Sequence, residues 1–296
     1  MTATPPPVRR GGIFWLIAGL TLAGLLLRSL RLEAPPLWWD EGYSVYFATE
    51  PLTRMVWLTA RDIHPPLYYA LLHGWTALWQ NAAPTTDRWL SVLFGVAALP
   101  AIYWVGRTHY PASRAVAVVA TLLLTISPLH LYYSQEIRMY GLALLWGLLA
   151  TGAFWRLVAH LHQPAAPVRG WASWLLAYVI CAAAGLYTLY YVGLLLFGHT
   201  LWALWALRRT WRRAAIFLLA DALILLAYLY DRLRRKLGEG DTRWRPVGLK
   251  RLARDAALDP QRIAAWQKMQ VLYVEHGPLG RVTDVHGAPP RPDETG

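Results

Sequence analysis

Near residue 40 the chain sets two acids side by side, in the run Pro35-Pro36-Leu37-Trp38-Trp39-Asp40-Glu41-Gly42-Tyr43-Ser44. A carboxylate takes a proton from a hydroxyl or amine nucleophile and so assists transfer of a group onto it. Other polar residues of chemical interest stand far away in sequence. His64 opens His64-Pro65-Pro66-Leu67-Tyr68-Tyr69. Gln135, Glu136 and Arg138 lie within Tyr132-Tyr133-Ser134-Gln135-Glu136-Ile137-Arg138-Met139-Tyr140, and Tyr187 lies within Gly185-Leu186-Tyr187-Thr188. A cation next to a carboxylate would neutralise a phosphate leaving group. The set suits transfer of a group from a lipid-borne phosphate to an acceptor, provided the fold brings these stretches together.

The elements that must do so are apolar. Of 296 residues, 56% are hydrophobic and 16% charged, with a mean hydropathy of +0.29. Soluble domains hold about 45–50% apolar and about 25% charged residues, so the composition predicts a multi-pass membrane protein. The 17 Trp and 16 Tyr fit, since both favour the bilayer interface. Seven apolar segments approach the ~20 residues a spanning helix needs, at 11–30, 88–106, 115–130, 139–158, 171–189, 191–207 and 214–230. The expected fold is all-α and polytopic. The first segment is longer than the apolar region of a signal peptide, so it reads as an uncleaved anchor, with Arg28 snorkelling to the surface. Asp221 falls inside the last segment, where a charge is costly; a helix contact is its expected role.

Charge orients the bundle. With a cytoplasmic N-terminus, the cytoplasmic segments hold Arg9, Arg10, Arg107, Arg114, Arg156, Arg169, Arg208, Arg209, Arg212 and Arg213 and no acid. The first external loop, 31–87, holds Glu33, Asp40, Glu41, Glu50, Asp62 and Asp87. This positive-inside pattern places Asp40 and Glu41 outside the cytoplasm of a cell membrane. It also accounts for much of the net charge of +12 without nucleic acid. The loop should hold two helices, one over Pro51–Arg61 and one over Leu67–Trp79. The second is too short to cross and is expected to lie at the interface as a roof. Three regions result: a cytoplasmic N-terminus at 1–10, the transmembrane domain at 11–230 and a basic tail at 231–296. The tail is expected to be partly helical from Asp259-Pro260 and disordered at its end. Cys181 is the sole cysteine, so no internal disulfide forms. The sequence holds no Walker loop, no Gly-rich dinucleotide motif and no Cys/His metal spacing.

Taken in order, the motifs around Asp40, His64, Gln135 and Tyr187 resemble those of bacterial glycosyltransferase family 39, in the GT-C superfamily. Protein O-mannosyltransferases and the lipid A aminoarabinose transferase are relatives of that family. The resemblance covers roughly residues 12–230. It implies an integral membrane inverting enzyme with a polyprenyl-phosphate sugar donor and a lipid, glycan or protein acceptor on the external face. By the same resemblance, Asp40 would be the general base or the carboxylate that orients the acceptor, and Glu41 its support. His64 and Arg138 would sit near the donor phosphate, and Gln135 and Glu136 would shape the site. Tyr68, Tyr69 and Tyr187 are candidates for substrate contact, against the commoner role of interfacial tyrosines in the aromatic belt. Some GT-C members use a divalent metal, and nothing in this sequence fixes one. The chain departs from the pattern in having Leu189 where relatives often have His, and in apolar spans that stop at Tyr230. The alternative reading is therefore a truncated, catalytically inactive membrane binding or scaffold protein.

Overall fold

The computed structural model describes residues 10–61, 64–79, 83–162, 168–208 and 211–237. Among these the chain forms eleven helices: α1 (Arg10–Ser29), α2 (Trp39–Thr49), α3 (Leu52–Arg61), α4 (Leu67–Trp79), α5 (Pro84–His109), α6 (Arg114–Ile126), α7 (Pro128–Ser134), α8 (Tyr140–Leu161), α9 (Val168–Thr188), α10 (Val192–Ala206) and α11 (Trp211–Leu237). The expected tail helix from Asp259-Pro260 lies outside the described residues. The boundary expected at residue 231 falls inside α11, which continues to Leu237.

All seven apolar segments fall on helices. By length and apolarity α1, α5, α8 and α9 are long enough to cross a membrane, and α6 with α7 would make a fifth span. At 15 residues, α10 is shorter than a full span. The third segment, read as one helix over 115–130, is two helices bent by 59° at Ser127-Pro128. Proline has no N–H to continue the ladder and pushes its preceding residue out of the helical region. Ser127 restarts the chain as an N-cap, its hydroxyl accepting from the His130 amide at 3.4 Å.

That break explains Arg28. Rather than snorkelling, Arg28 is fully buried at the end of α1. Its guanidinium donates to Leu124 O at 3.1 Å and Thr125 O at 3.4 Å, carbonyls in the last turn of α6, and meets His130 Nδ1 at 2.6 Å. Helix ends leave carbonyls without intrahelical partners, and a buried cation can satisfy them.

Small residues let the spans approach closely. Gly141 lies against the backbone of Ser91 and Gly95, and Gly152 against the Trp104 ring, so α5 and α8 run parallel. One core joins α8 to α11 around Phe154, Tyr178 and Phe217. There Asp221 accepts from the Tyr178 hydroxyl at 2.9 Å and from the Thr200 hydroxyl, tying α11 to α9 and α10 as a helix contact. The second core joins α2, α3 and α4 to the starts of α5 and α8 around Met55, Tyr68, Tyr69 and Ile137. It supports the candidate site.

Candidate active site

Asp40 and Glu41 do not sit in an open loop. They open α2, where two acids in the first turn complement the helix dipole. Consecutive helical residues do not face the same way, so the pair divides between two environments.

Glu41 points inward and is 1% exposed. Its Oε1 accepts from Arg88 Nε at 2.9 Å and its Oε2 from Arg88 Nη2 at 2.7 Å, a bidentate buried ion pair. The Ile137 amide adds a third hydrogen bond, to Oε1 at 2.9 Å. Arg88 also donates Nη1 to Leu32 O at 2.6 Å and Pro35 O at 3.0 Å, and Nη2 to Pro36 O at 3.4 Å. One buried ion pair thus joins the Pro35-Pro36 approach, the start of α2, the start of α5 and the 135–138 turn. Glu41, expected as a catalytic carboxylate supporting Asp40, has both its oxygens engaged inside the protein, beneath Asp40 rather than open to a substrate. Arg88 went unnoticed in the sequence. The signal was there, because an arginine at the first position of the apolar segment 88–106 needs a compensating acid if it is buried.

Asp40 turns the other way, with its side chain 38% exposed. Its Oδ2 lies 3.3 Å from Arg138 Nη2, and its backbone carbonyl accepts from Arg138 Nη1 at 3.3 Å. The same Arg138 Nη2 lies 3.2 Å from His64 Nε2. Arginine only donates, so His64 accepts there as the neutral Nδ1–H tautomer. Asp40, His64 and Arg138, separate in sequence, meet at one point. Arg138 is itself 2% exposed, with its guanidinium 5.6 Å over the Tyr140 ring.

The remaining candidates are placed differently. Gln135 donates its amide to Arg28 O at 3.1 Å and Leu30 O at 2.8 Å, so it caps the C-terminal end of α1 rather than facing a substrate. Glu136 is buried beside the acids, and its Oε2 has no hydrogen-bond partner. Burial pushes its carboxyl above the ordinary range, the charges of Glu41 and Asp40 push the same way, and the Tyr132 hydroxyl and Arg138 oppose them. Tyr68 and Tyr69 are fully buried, which corrects both readings of them, as substrate contacts and as belt residues. The Tyr68 hydroxyl pairs with Ser91 Oγ at 2.9 Å, and Ser91 donates to Arg138 O at 3.3 Å, so Tyr68 braces the turn that carries Arg138. The reason is that α4 turns Tyr68, Tyr69 and Leu72 into the core, not toward a lipid surface. Tyr187 is not brought to the Asp40 cluster. Its hydroxyl donates to Asp231 Oδ2 at 2.9 Å and its ring packs on Tyr228.

The arrangement offers an accessible carboxylate, a guanidinium at its side and a neutral imidazole behind. It can accept a proton from a nucleophile and place positive charge beside a departing anion. Among the described residues, no three His, Cys, Asp or Glu side chains lie together as a metal-binding group. The described residues therefore offer no clustered ligand set for the divalent metal that some GT-C members use. Two apolar cavities lie elsewhere: one of about 750 Å³ between α1 and α5, and one of about 520 Å³ between α9 and α11. Neither is lined by Asp40, His64 or Arg138.

In sequence, no family model and no curated protein matches the chain. Among solved structures it is similar to a chain of the Saccharomyces cerevisiae protein O-mannosyltransferase Pmt1–Pmt2 complex bound to the sugar donor, with a TM-score of 0.59 and 16% identity. The similarity covers 81% of this chain and 36% of that one, so this chain spans about a third of its length. The shared property is the fold, an all-helical arrangement with four or five candidate membrane spans.

Proposed function

We propose that the protein is a membrane glycosyltransferase that moves a sugar from a polyprenyl-phosphate donor to an acceptor on the external face. The observation that carries this reading is the meeting of Asp40, Arg138 and His64 at one partly exposed point, 3.2–3.3 Å apart along the chain of contacts. The fold shared with a donor-bound O-mannosyltransferase supports it.

In this mechanism Asp40 takes the proton of the acceptor hydroxyl or amine as that atom attacks the anomeric carbon. The bond to the phosphate oxygen breaks on the opposite face in a single displacement, so the anomeric configuration inverts. The departing lipid phosphate gains negative charge, and Arg138 stabilises it. Arg138 is now shared between Asp40 and His64, so the phosphate replaces one of these contacts on binding. His64, neutral and oriented toward the guanidinium, holds Arg138 in reach. Glu41 and Arg88 are positioning residues.

The test is direct. Purified protein in lipid nanodiscs is given a series of polyprenyl-phosphate sugars with lipid, glycan and peptide acceptors, and products are identified by mass spectrometry. Transfer with inversion at the anomeric carbon is the expected result; donor hydrolysis or transfer with retention contradicts the mechanism.

The second reading is a membrane binding or scaffold protein without transfer. It predicts donor binding with no product from any acceptor.

A further inference from the structure

The end of the bundle opposite Asp40 has its own chemistry. The C-terminal ends of α5, α8 and α10 and the N-terminal ends of α6, α9 and α11 meet there. Gly106 packs against Ala117, Trp104 stacks on Trp174, Trp155 lies 4.3 Å from Trp202, and Phe154 lies 5.3 Å from Phe217. Between Asp87 and Asp221 the sequence holds a single acid, Glu136. Glu136 precedes the start of α8, at the other end of the bundle, and Asp221 is bonded to Tyr178 and Thr200 within it. The arginines at this end therefore face no carboxylate among the described residues.

Tryptophans hold these cations in place instead. Arg156 is exposed with its guanidinium 5.8 Å from the Trp174 ring centre. Arg208 is exposed, lies 5.1 Å over Trp205 and donates to Trp205 O at 2.9 Å. Arg107 donates to Pro111 O at 3.1 Å. Arg114 begins α6, where a cation opposes the helix dipole and so costs helix stability. A stacked guanidinium keeps its full charge and most of its donors, fixed at the depth where tryptophan sits in a bilayer.

We infer that this face is a binding surface for anionic phospholipid headgroups, with Arg156 and Arg208 as its principal cations. A phosphodiester fits a fixed guanidinium fork better than a zwitterionic headgroup does, because choline would face the same uncompensated positive charge. The inference is independent of the glycosyltransferase reading and concerns the opposite membrane face.

The experiment uses the full chain in nanodiscs of phosphatidylcholine with phosphatidylglycerol. After transfer to a mild detergent, retained lipids are counted by native mass spectrometry. Wild type is expected to keep phosphatidylglycerol over phosphatidylcholine. Each arginine near an anionic surface strengthens binding by about fivefold. The Arg156→Gln/Arg208→Gln pair should thus lose about twenty-five-fold in phosphatidylglycerol retention. Arg156→Lys/Arg208→Lys keeps the charge and should retain the preference in part. Arg54→Gln, at the opposite end, should leave it unchanged and controls for folding. Equal retention of the two lipids by wild type, or an unchanged preference in the Gln pair, overturns the inference. Release of the retained lipid by inorganic phosphate would assign the cluster to a soluble anion and also overturn it.

Discussion

Replacing Arg88 by Met tests the anchor under the site. The change keeps most of the side-chain volume and removes five hydrogen bonds, two of them to Glu41 and three to the carbonyls of Leu32, Pro35 and Pro36. Both ionic partners are almost fully buried, at 3% and 1% side-chain exposure, so solvent cannot take over. Breaking a buried pair from one side typically costs about 3–5 kcal/mol, because it strands a charge. The Glu41→Leu/Arg88→Met double variant removes both charges. It should recover part of that loss, leaving about 1–3 kcal/mol for carbonyls and an Ile137 amide without partners. The double variant should therefore be about 2 kcal/mol less destabilised than Arg88→Met alone, well short of the sum of the two single changes. Reversible unfolding in mixed detergent micelles, followed by tryptophan fluorescence, measures all three. Loss of under about 1 kcal/mol in Arg88→Met, or strict additivity in the double variant, refutes the anchor on the energetic scale used here.

Other consequences follow from the same geometry. Glu136 has its folded carboxyl raised, first by burial, so the folded state holds its proton more tightly than the unfolded state does. The stability this contributes is fully present below the ordinary value near 4.5 and is lost as pH rises through the folded value. Glu136→Gln should flatten that decline in a series of melting temperatures against pH; an unchanged slope contradicts it. For topology, Asp40→Cys in a Cys181→Ala background should react with a membrane-impermeant maleimide added outside cells. Arg114→Cys should react only after permeabilisation, and the reverse pattern overturns the orientation.

Much of the bundle was legible because membrane solvent imposes a length and an apolarity on each span, and those are written in sequence. The break at Ser127-Pro128 was legible too, through proline's missing donor, but was read as part of one span. What the sequence could not convey was facing. Hydrophobic spacing in α4 does not tell lipid from protein core, so Tyr68 and Tyr69 were read as surface residues although they are buried. Arg28 near a helix end reads as a snorkelling cation, because the carbonyls it satisfies belong to α6, 96 residues away. The convergence of Asp40, His64 and Arg138 followed from counting spans. The division of labour between Asp40 and Glu41 required the structure, since it depends on which side of one helical turn meets Arg88.

In the proposed mechanism Asp40 activates the acceptor while Arg138 serves the donor phosphate. Asp40→Asn keeps the size of the side chain and removes its capacity to take a proton. Steady-state transfer from a polyprenyl-phosphate sugar, with donor affinity measured in parallel, separates the two roles. The account predicts a fall in kcat of about 10²- to 10⁴-fold, the range for a general base, with donor binding little changed. Arg138→Gln should instead weaken donor binding. Unchanged turnover in Asp40→Asn would contradict the account.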